Sequence, residues 1–199
     1  MIDYSIKGYH GTDIAHLRSI IENNFKPSLG DTHWLGTGAY FFVEGYPDSI
    51  SSEDAAAKWA EAEAWDNKEK RYRYKNCCAV EVLIDVGDDN FLDLTTKEGM
   101  DIFNYHKQEF VTSLRKINLK FKKTPTSPIF RDGELINIMR SKYGIRIDAV
   151  KAYFYFKYKE ERIFNEDFRL PNCTVVSVFE PQRNIDKSNI KIIRKFRIL

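Results

Sequence analysis

Short apolar runs and amphipathic stretches alternate along this chain without a fixed repeat, and that irregularity constrains its fold more than any other feature. Gly36-Thr37-Gly38 leads into Ala39 to Val43 (AYFFV), a run that reads as a short buried strand. Ala79 to Val86 (AVEVLIDV) is β-branched with two outward acids and reads as another. Further strands are expected from Ser5 to Tyr9, ending at His10-Gly11-Thr12, and at Phe91 to Leu94, Ile147 to Lys157, Thr174 to Glu180 and Ile190 to Ile198. Helices are expected between them. Asp13 is a suitable N-cap for Ile14, Leu17, Ile20 and Ile21, and Phe25 to Gly30 closes that helix with a loop. Ser51 and Ser52, followed by Glu53 and Asp54, start an Ala-rich helix reaching about Asp66, and Lys68 to Lys75 form a charged turn. Thr95 or Thr96 caps a long helix carrying Met100, Phe103, Phe110, Val111 and Leu114. Asp132-Gly133-Glu134 opens another that stops at Tyr143-Gly144. Strands mixed irregularly with helices argue for an α+β domain over a doubly wound sheet. With 199 residues and no internal repeat or linker, a single domain over residues 1–199 is expected.

Composition narrows the class. Hydrophobic residues at 43% and charged residues at 30% exclude collagen-like and disordered chains. Cys77 and Cys78 are adjacent and Cys173 is alone, so no disulfide framework is suggested. The four histidines, His10, His16, His33 and His106, lack ligand spacing, so no metal site is expected. The start, MIDYSIKGYHGTD, has neither the cationic nor the apolar part of a signal peptide, and no apolar run is long enough to span a membrane. A cytoplasmic protein is the expectation. The net charge of +2 conceals an asymmetry: Met1 to Gly99 holds 10 Lys and Arg against 18 Asp and Glu, whereas Met100 to Leu199 holds 21 against 11. Either this is a patternless solvated surface or the second half presents a basic face to phosphate-bearing ligands.

Three segments carry candidate chemistry. Tyr9-His10-Gly11-Thr12 sets a histidine and a hydroxyl at a strand end, beside a glycine that permits close approach to the backbone. A lone histidine there is equally a satisfied structural residue. His33 to Phe42 (HWLGTGAYFF) joins two glycines in a tight turn to an aromatic strand, which suits either a flat ligand or a hairpin feeding the core. It is not a dinucleotide fingerprint, because the third glycine is missing and a strand follows the turn. In Ala55-Ala56-Ala57-Lys58-Trp59-Ala60 the small residues permit close helix packing, and Trp59 is either a buried anchor or a ligand wall.

Together and in this order, the three segments resemble the ADP-ribosyltransferases of the diphtheria-toxin and poly(ADP-ribose) polymerase branch, whose catalytic signature is His-Tyr-Glu. Tyr9 to Thr12 is similar to that group's Tyr-His-Gly-Thr segment, and Trp34 to Phe42 to its Trp-Leu-Gly-x-Gly-x-Tyr-Phe-Phe segment. Leu92-Asp93-Leu94, Asp132 to Asn137 and Asp148 to Lys151 look like later landmarks of its small stand-alone bacterial members. The resemblance implies an α+β fold with split mixed or antiparallel sheets, flanked by helices around an NAD+ cleft. It implies that His10 hydrogen-bonds the adenosine ribose, that Gly11 backbone groups pair with the nicotinamide carboxamide, and that Thr12 contacts the nicotinamide ribose. Gly36 and Gly38 form the cofactor-binding turn, Tyr40 stacks on nicotinamide, and Trp59 supplies the opposite wall. Cleavage of the nicotinamide–ribose bond passes through an oxocarbenium-like state, so a flat leaving group must be held and developing positive charge stabilised.

The family's carboxylate stands at the entry of a late strand, where this chain has Asn172 and Cys173. Glu166 is the expected substitute, with Glu161 or no acid at all as alternatives. The implied activity is mono-ADP-ribosyl transfer to an intracellular macromolecule, as in bacterial toxins and phage-defence effectors, some of which have a cognate antitoxin. For the acceptor, Lys116, Lys120, Lys122, Lys123, Arg140, Lys142, Arg146, Lys191, Arg194, Lys195 and Arg197 are interleaved with Phe121, Tyr143 and Phe196. Cations among flat rings suit single-stranded RNA or DNA. A protein acceptor, NAD+ hydrolysis and a catalytically degenerate NAD- or nucleic-acid-binding module are the alternatives. The basic tail equally reads as an edge strand guarded by lysines.

Overall fold

The computed structural model describes residues 3–28, 33–45, 50–116, 131–164 and 170–199, with the side chains of residues 3, 114–116 and 131 left aside. In chain order the elements are β1 (Asp3–Asp13), α1 (Leu17–Asn23, after a 3-10 turn), β2 (Ala39–Val43), α2 (Ser52–Ala64), β3 (Trp65–Asp66), β4 (Arg71–Tyr72), β5 (Asn76–Gly87) and β6 (Phe91–Asp93). There follow α3 (Lys97–Lys116), α4 (Arg131–Ser141), β7 (Ala149–Phe154), α5 (Lys159–Phe164), β8 (Cys173–Val178), α6 (Pro181–Asn184) and β9 (Lys191–Arg197). The architecture is α+β. Among the described residues a seven-stranded sheet runs β6-β7-β8-β2-β1-β5-β9, with β3 and β4 as a separate ribbon. The β6–β7 pair is parallel and the other pairs are antiparallel, which makes the sheet mixed.

The sheet is continuous rather than split as expected, because β1 and β2 join its two halves through a narrow seam. β1 pairs with β5 along its whole length, from Asp3↔Gly87 to Asp13↔Cys77. With β2 it shares only Gly8↔Val43 and Tyr9↔Phe42. Beyond Tyr9 the two strands part like a fork, while β2 stays paired to β8 from Val43↔Thr174 to Ala39↔Val178. Alternation along β2 explains why AYFFV is continuously apolar. Ala39, Phe41 and Val43 join one core with Leu17, Ile20 and Phe25 of the α1 region, whereas Tyr40 and Phe42 pack with Ala55, Ala56 and Trp59 of α2. Helices therefore cover both faces of β2. A further core, built by Leu92, Phe103, Leu135, Ile136, Met139 and Val150, seats α3 and α4 on β6 and β7.

Several local expectations are met for the reasons given. Asp13 Oδ1 accepts from the Ala15 amide at 3.0 Å, and Ser51 Oγ from the Asp54 amide at 3.1 Å. Gly144 takes the left-handed conformation after α4, with φ +66°. Others shift. α2 stops at Ala64 because Trp65 and Asp66 leave the helix to pair with Tyr72 and Arg71 inside the stretch read as a charged turn. The strand expected from Ile147 to Lys157 is β7 alone, and the acidic stretch after it forms α5. The basic tail is the edge strand β9. Lys120, Phe121, Lys122 and Lys123 lie outside the described residues, as do Glu166 and Asp167.

Candidate active site

A cleft of about 760 Å³ opens across the fork between β1 and β2. His10, Thr12, His16, Ile20 and Phe25 line it from the α1 side, and Tyr40, Phe42, Trp59, Phe156 and Arg162 from the α2 side. Its volume falls in the range of sites for small ligands and cofactors.

His10 sits where the strands diverge and bridges them. Its Nδ1 donates to the Tyr40 carbonyl at 2.8 Å, since a carbonyl only accepts. Phe25 and Phe41 flank the ring at 5.2 and 5.7 Å between centroids. Burial pushes the imidazole below its ordinary pKa, outweighing the opposite pull of the Tyr40 carbonyl. At neutral pH the ring is uncharged, with its proton on Nδ1, so Nε2 is a hydrogen-bond acceptor. Thr12 lines the cleft beside it, its Oγ1 3.2 Å from His16 Nδ1.

Tyr40 is fixed at its tip. Its hydroxyl donates to the Gly36 carbonyl at 2.7 Å and accepts from the Leu35 amide at 2.9 Å. Burial raises this phenol to a pKa of about 12, so it stays protonated and the ring is locked as a flat wall. The turn that supplies those backbone groups needs glycine. Gly36 has φ +78°, and a Cβ there would lie 2.5 Å from Asn137 Oδ1, which accepts from the Thr37 amide at 2.9 Å. The Asp132 to Asn137 segment thus clamps the turn from α4. Gly36 shapes the site without lining it, whereas Gly38 lines it.

Gly11 has a packing role that its sequence context did not show. A Cβ there would fall 1.8 Å from the Ala56 carbonyl oxygen, so α2 presses directly onto β1. This close seating brings Trp59 into the cleft opposite the α1 side. Phe156 meets the Trp59 ring edge-on at 5.2 Å, and the Arg162 guanidinium lies over it at 4.9 Å.

Glu166 lies outside the described residues. Glu161 Oε2 instead accepts from the Tyr158 amide at 2.7 Å, capping α5, and does not line the cleft. Asn172 braces the chain after β7, with Nδ2 donating to the Phe156 carbonyl at 3.0 Å and Oδ1 accepting from its amide at 3.2 Å. Among the described residues the carboxylate lining the cleft is Glu63, whose Oε1 is 2.6 Å from Arg162 Nη1. Sequence reasoning missed this pair, although a signal existed. Glu63 follows Trp59 by one helical turn, so both fall on one face of α2. Nothing local pointed to Arg162, which arrives from α5. Three histidines (His10, His16 and His33) line the cleft together with Lys26 and Arg162, and no cluster of metal-ligating side chains exists among the described residues.

The other landmarks are structural. Asp93 and Lys151 face each other across β6 and β7 in an ion pair of 3.2 Å, and buried Asp148 pairs with Arg183. Cys77, Cys78 and Cys173 are buried thiols, none of them in a disulfide. No helix among the described residues is long and apolar enough to cross a membrane. No family model matches the chain. An uncharacterized protein of Methanocaldococcus jannaschii is 29% identical to it over 197 residues, spanning 94% of this chain and 84% of that protein.

Proposed function

We propose that this protein is an NAD+-dependent mono-ADP-ribosyltransferase acting on an intracellular macromolecule, with nucleic acid as the acceptor. The observation that supports it best is the convergence at one fork of a neutral histidine with an accepting Nε2, a locked tyrosine ring and a tryptophan. These groups suit NAD+: flat walls hold rings, and a neutral imidazole accepts from a ribose hydroxyl where a cationic one could not. NAD+, when bound, supplies the ADP-ribosyl group and releases nicotinamide. His10 fixes the ribose through Nε2, and Tyr40 offers a face that cannot rotate because its hydroxyl is held at both lone pair and proton. Glu63 is tied to Arg162, which disfavours repeated addition to a product and favours a single transfer. The nucleic-acid acceptor rests on the basic, ring-bearing second half of the sequence.

That same Glu63–Arg162 pair also favours a second reading, a module that binds NAD+ without turning it over, because the lining carboxylate is neutralised. One experiment separates the two. Incubation with labelled NAD+ and separate pools of RNA, DNA and protein should place label on nucleic acid. Label on protein changes the acceptor, and free ADP-ribose without transfer indicates hydrolysis. Binding of NAD+ without nicotinamide release supports the non-catalytic module, and no binding ends the NAD+ reading.

A further inference from the structure

The Trp59 end of the cleft carries an arginine, Arg162, that the described residues leave partly unspent. Arg162 Nε donates to the Lys157 carbonyl at 3.0 Å, and Nη1 donates to the Ala62 carbonyl at 3.1 Å and to Glu63 Oε1 at 2.6 Å. With the guanidinium carbon over the Trp59 ring, these contacts hold it in place, and the side chain is only 19% exposed. Among the described residues nothing accepts from Nη2, although Arg162 lines the cleft. A planar cation held by three acceptors, with a donor pair that no described residue accepts from, matches phosphate oxygens better than any neutral group. Its charge is also wrong for nicotinamide. The pyridinium of NAD+ is cationic, so placing it against a Trp59 face already covered by a guanidinium sets like charges together.

We infer that Arg162 and Trp59 form a phosphate-binding subsite, which takes the diphosphate of a nucleotide and leaves the nicotinamide to the Tyr40 wall. This moves Trp59 away from the nicotinamide-wall role that the family resemblance implies. The subsite is defined by phosphate chemistry, so it stands or falls separately from ADP-ribosyl transfer.

The test compares ADP with adenosine by titration calorimetry on the full chain. Wild-type protein should bind ADP more tightly than adenosine. In the Arg162→Gln, Glu63→Gln double variant, which leaves no buried charge unpaired, ADP should weaken roughly 10- to 100-fold, with adenosine unchanged within about twofold by the same reasoning. Arg162→Lys keeps the charge but loses the planar fork, and ADP affinity should fall between the two. Thermal melts establish that each variant is folded, and where the double variant is not, Arg162→Lys carries the comparison. Equal loss of ADP and adenosine assigns Arg162 a structural role and overturns the subsite, as does wild-type protein that does not distinguish them. A single-stranded oligonucleotide forms the last arm: loss confined to it would place an acceptor phosphate there and overturn the diphosphate assignment. Tight, Arg162-dependent ADP binding without NAD+ turnover would instead sustain the subsite and refute the transferase.

Discussion

At the His10 end of the cleft the fixing groups are neutral and close in sequence: His10 is tied to the Tyr40 backbone 30 residues on, and the Tyr40 hydroxyl to Leu35 and Gly36 just before it. At the Trp59 end they are ionised and far apart, Glu63 of α2 meeting Arg162 of α5 across 99 residues. Neutral bonds to backbone set an atom's position and a proton's location, and salt screens them little. Ion pairs between helices hold charge where a ligand can use it, at the cost of sensitivity to ionic strength. One end of the cleft is built to orient and the other to attract. Gly11 joins them, since it lets α2, which carries Trp59 and Glu63, seat on the strand that carries His10.

The largest effect should come from breaking that join. Gly11→Ala drives a methyl into the Ala56 carbonyl and should cost about 3 kcal/mol, read by urea denaturation. Wild-type stability would mean that the two ends are not coupled through α2. Next is Tyr40→Phe, which strips the buried Leu35 amide of its acceptor and the Gly36 carbonyl of its donor, for a loss of roughly 1–3 kcal/mol. Its melting temperature should fall in high and low salt alike. A loss that vanishes in high salt would erase the distinction between the ends.

The pH profile probes the neutral end further. The imidazole of His10 is held below its ordinary pKa of 6.5 in the folded state, so the unfolded chain takes up this proton first. Its contribution to stability is complete above 6.5 and is lost as pH falls below that value, levelling off once the folded imidazole also protonates. His10→Gln should flatten this part of a melting profile measured against pH, and an unchanged slope would assign it to another group. The smallest effect belongs to the charged end. Lys159 Nζ lies 2.8 Å from Glu61 Oε1, with both side chains partly exposed, and Lys159→Met should cost about 0.5–1 kcal/mol in low salt and less in high salt. A salt-independent loss would mean that apolar packing, not charge, holds α5 to α2.

The sequence made the neutral end legible because its information is local. A short buried strand shows itself by its apolar run, and a turn by its glycines, so Tyr40, Gly36 and His10 could be picked out with their neighbours, and the family resemblance supplied the roles expected of them. The reason for Gly11 was not legible, because the atom that forbids a side chain there is the Ala56 carbonyl. Trp59 was visible, but the cation covering it was not. The stretch after β7 forms α5, which the Glu161 cap starts and which Arg162 and Lys159 dock on α2.

By itself the sequence determined where the strands of the main sheet lie, most helix starts, the α+β class and the two motifs that meet at the fork. Periodicity and capping act over a few residues, and burial of the apolar runs enforces them. It also determined that the chain is acidic in its first half and basic in its second, but only the tertiary structure decided what that means. Lys151 pairs with Asp93, Lys159 with Glu61, Arg162 with Glu63, Lys191 with Glu81, and Arg194 with Glu53 and Asp54. In each pair a cation of the second half meets an acid of the first, so part of the polarity along the chain is consumed in joining it. Coulomb attraction acts through space and takes no account of sequence distance. That Arg162, alone among these paired cations, lines the cleft was therefore settled by the fold.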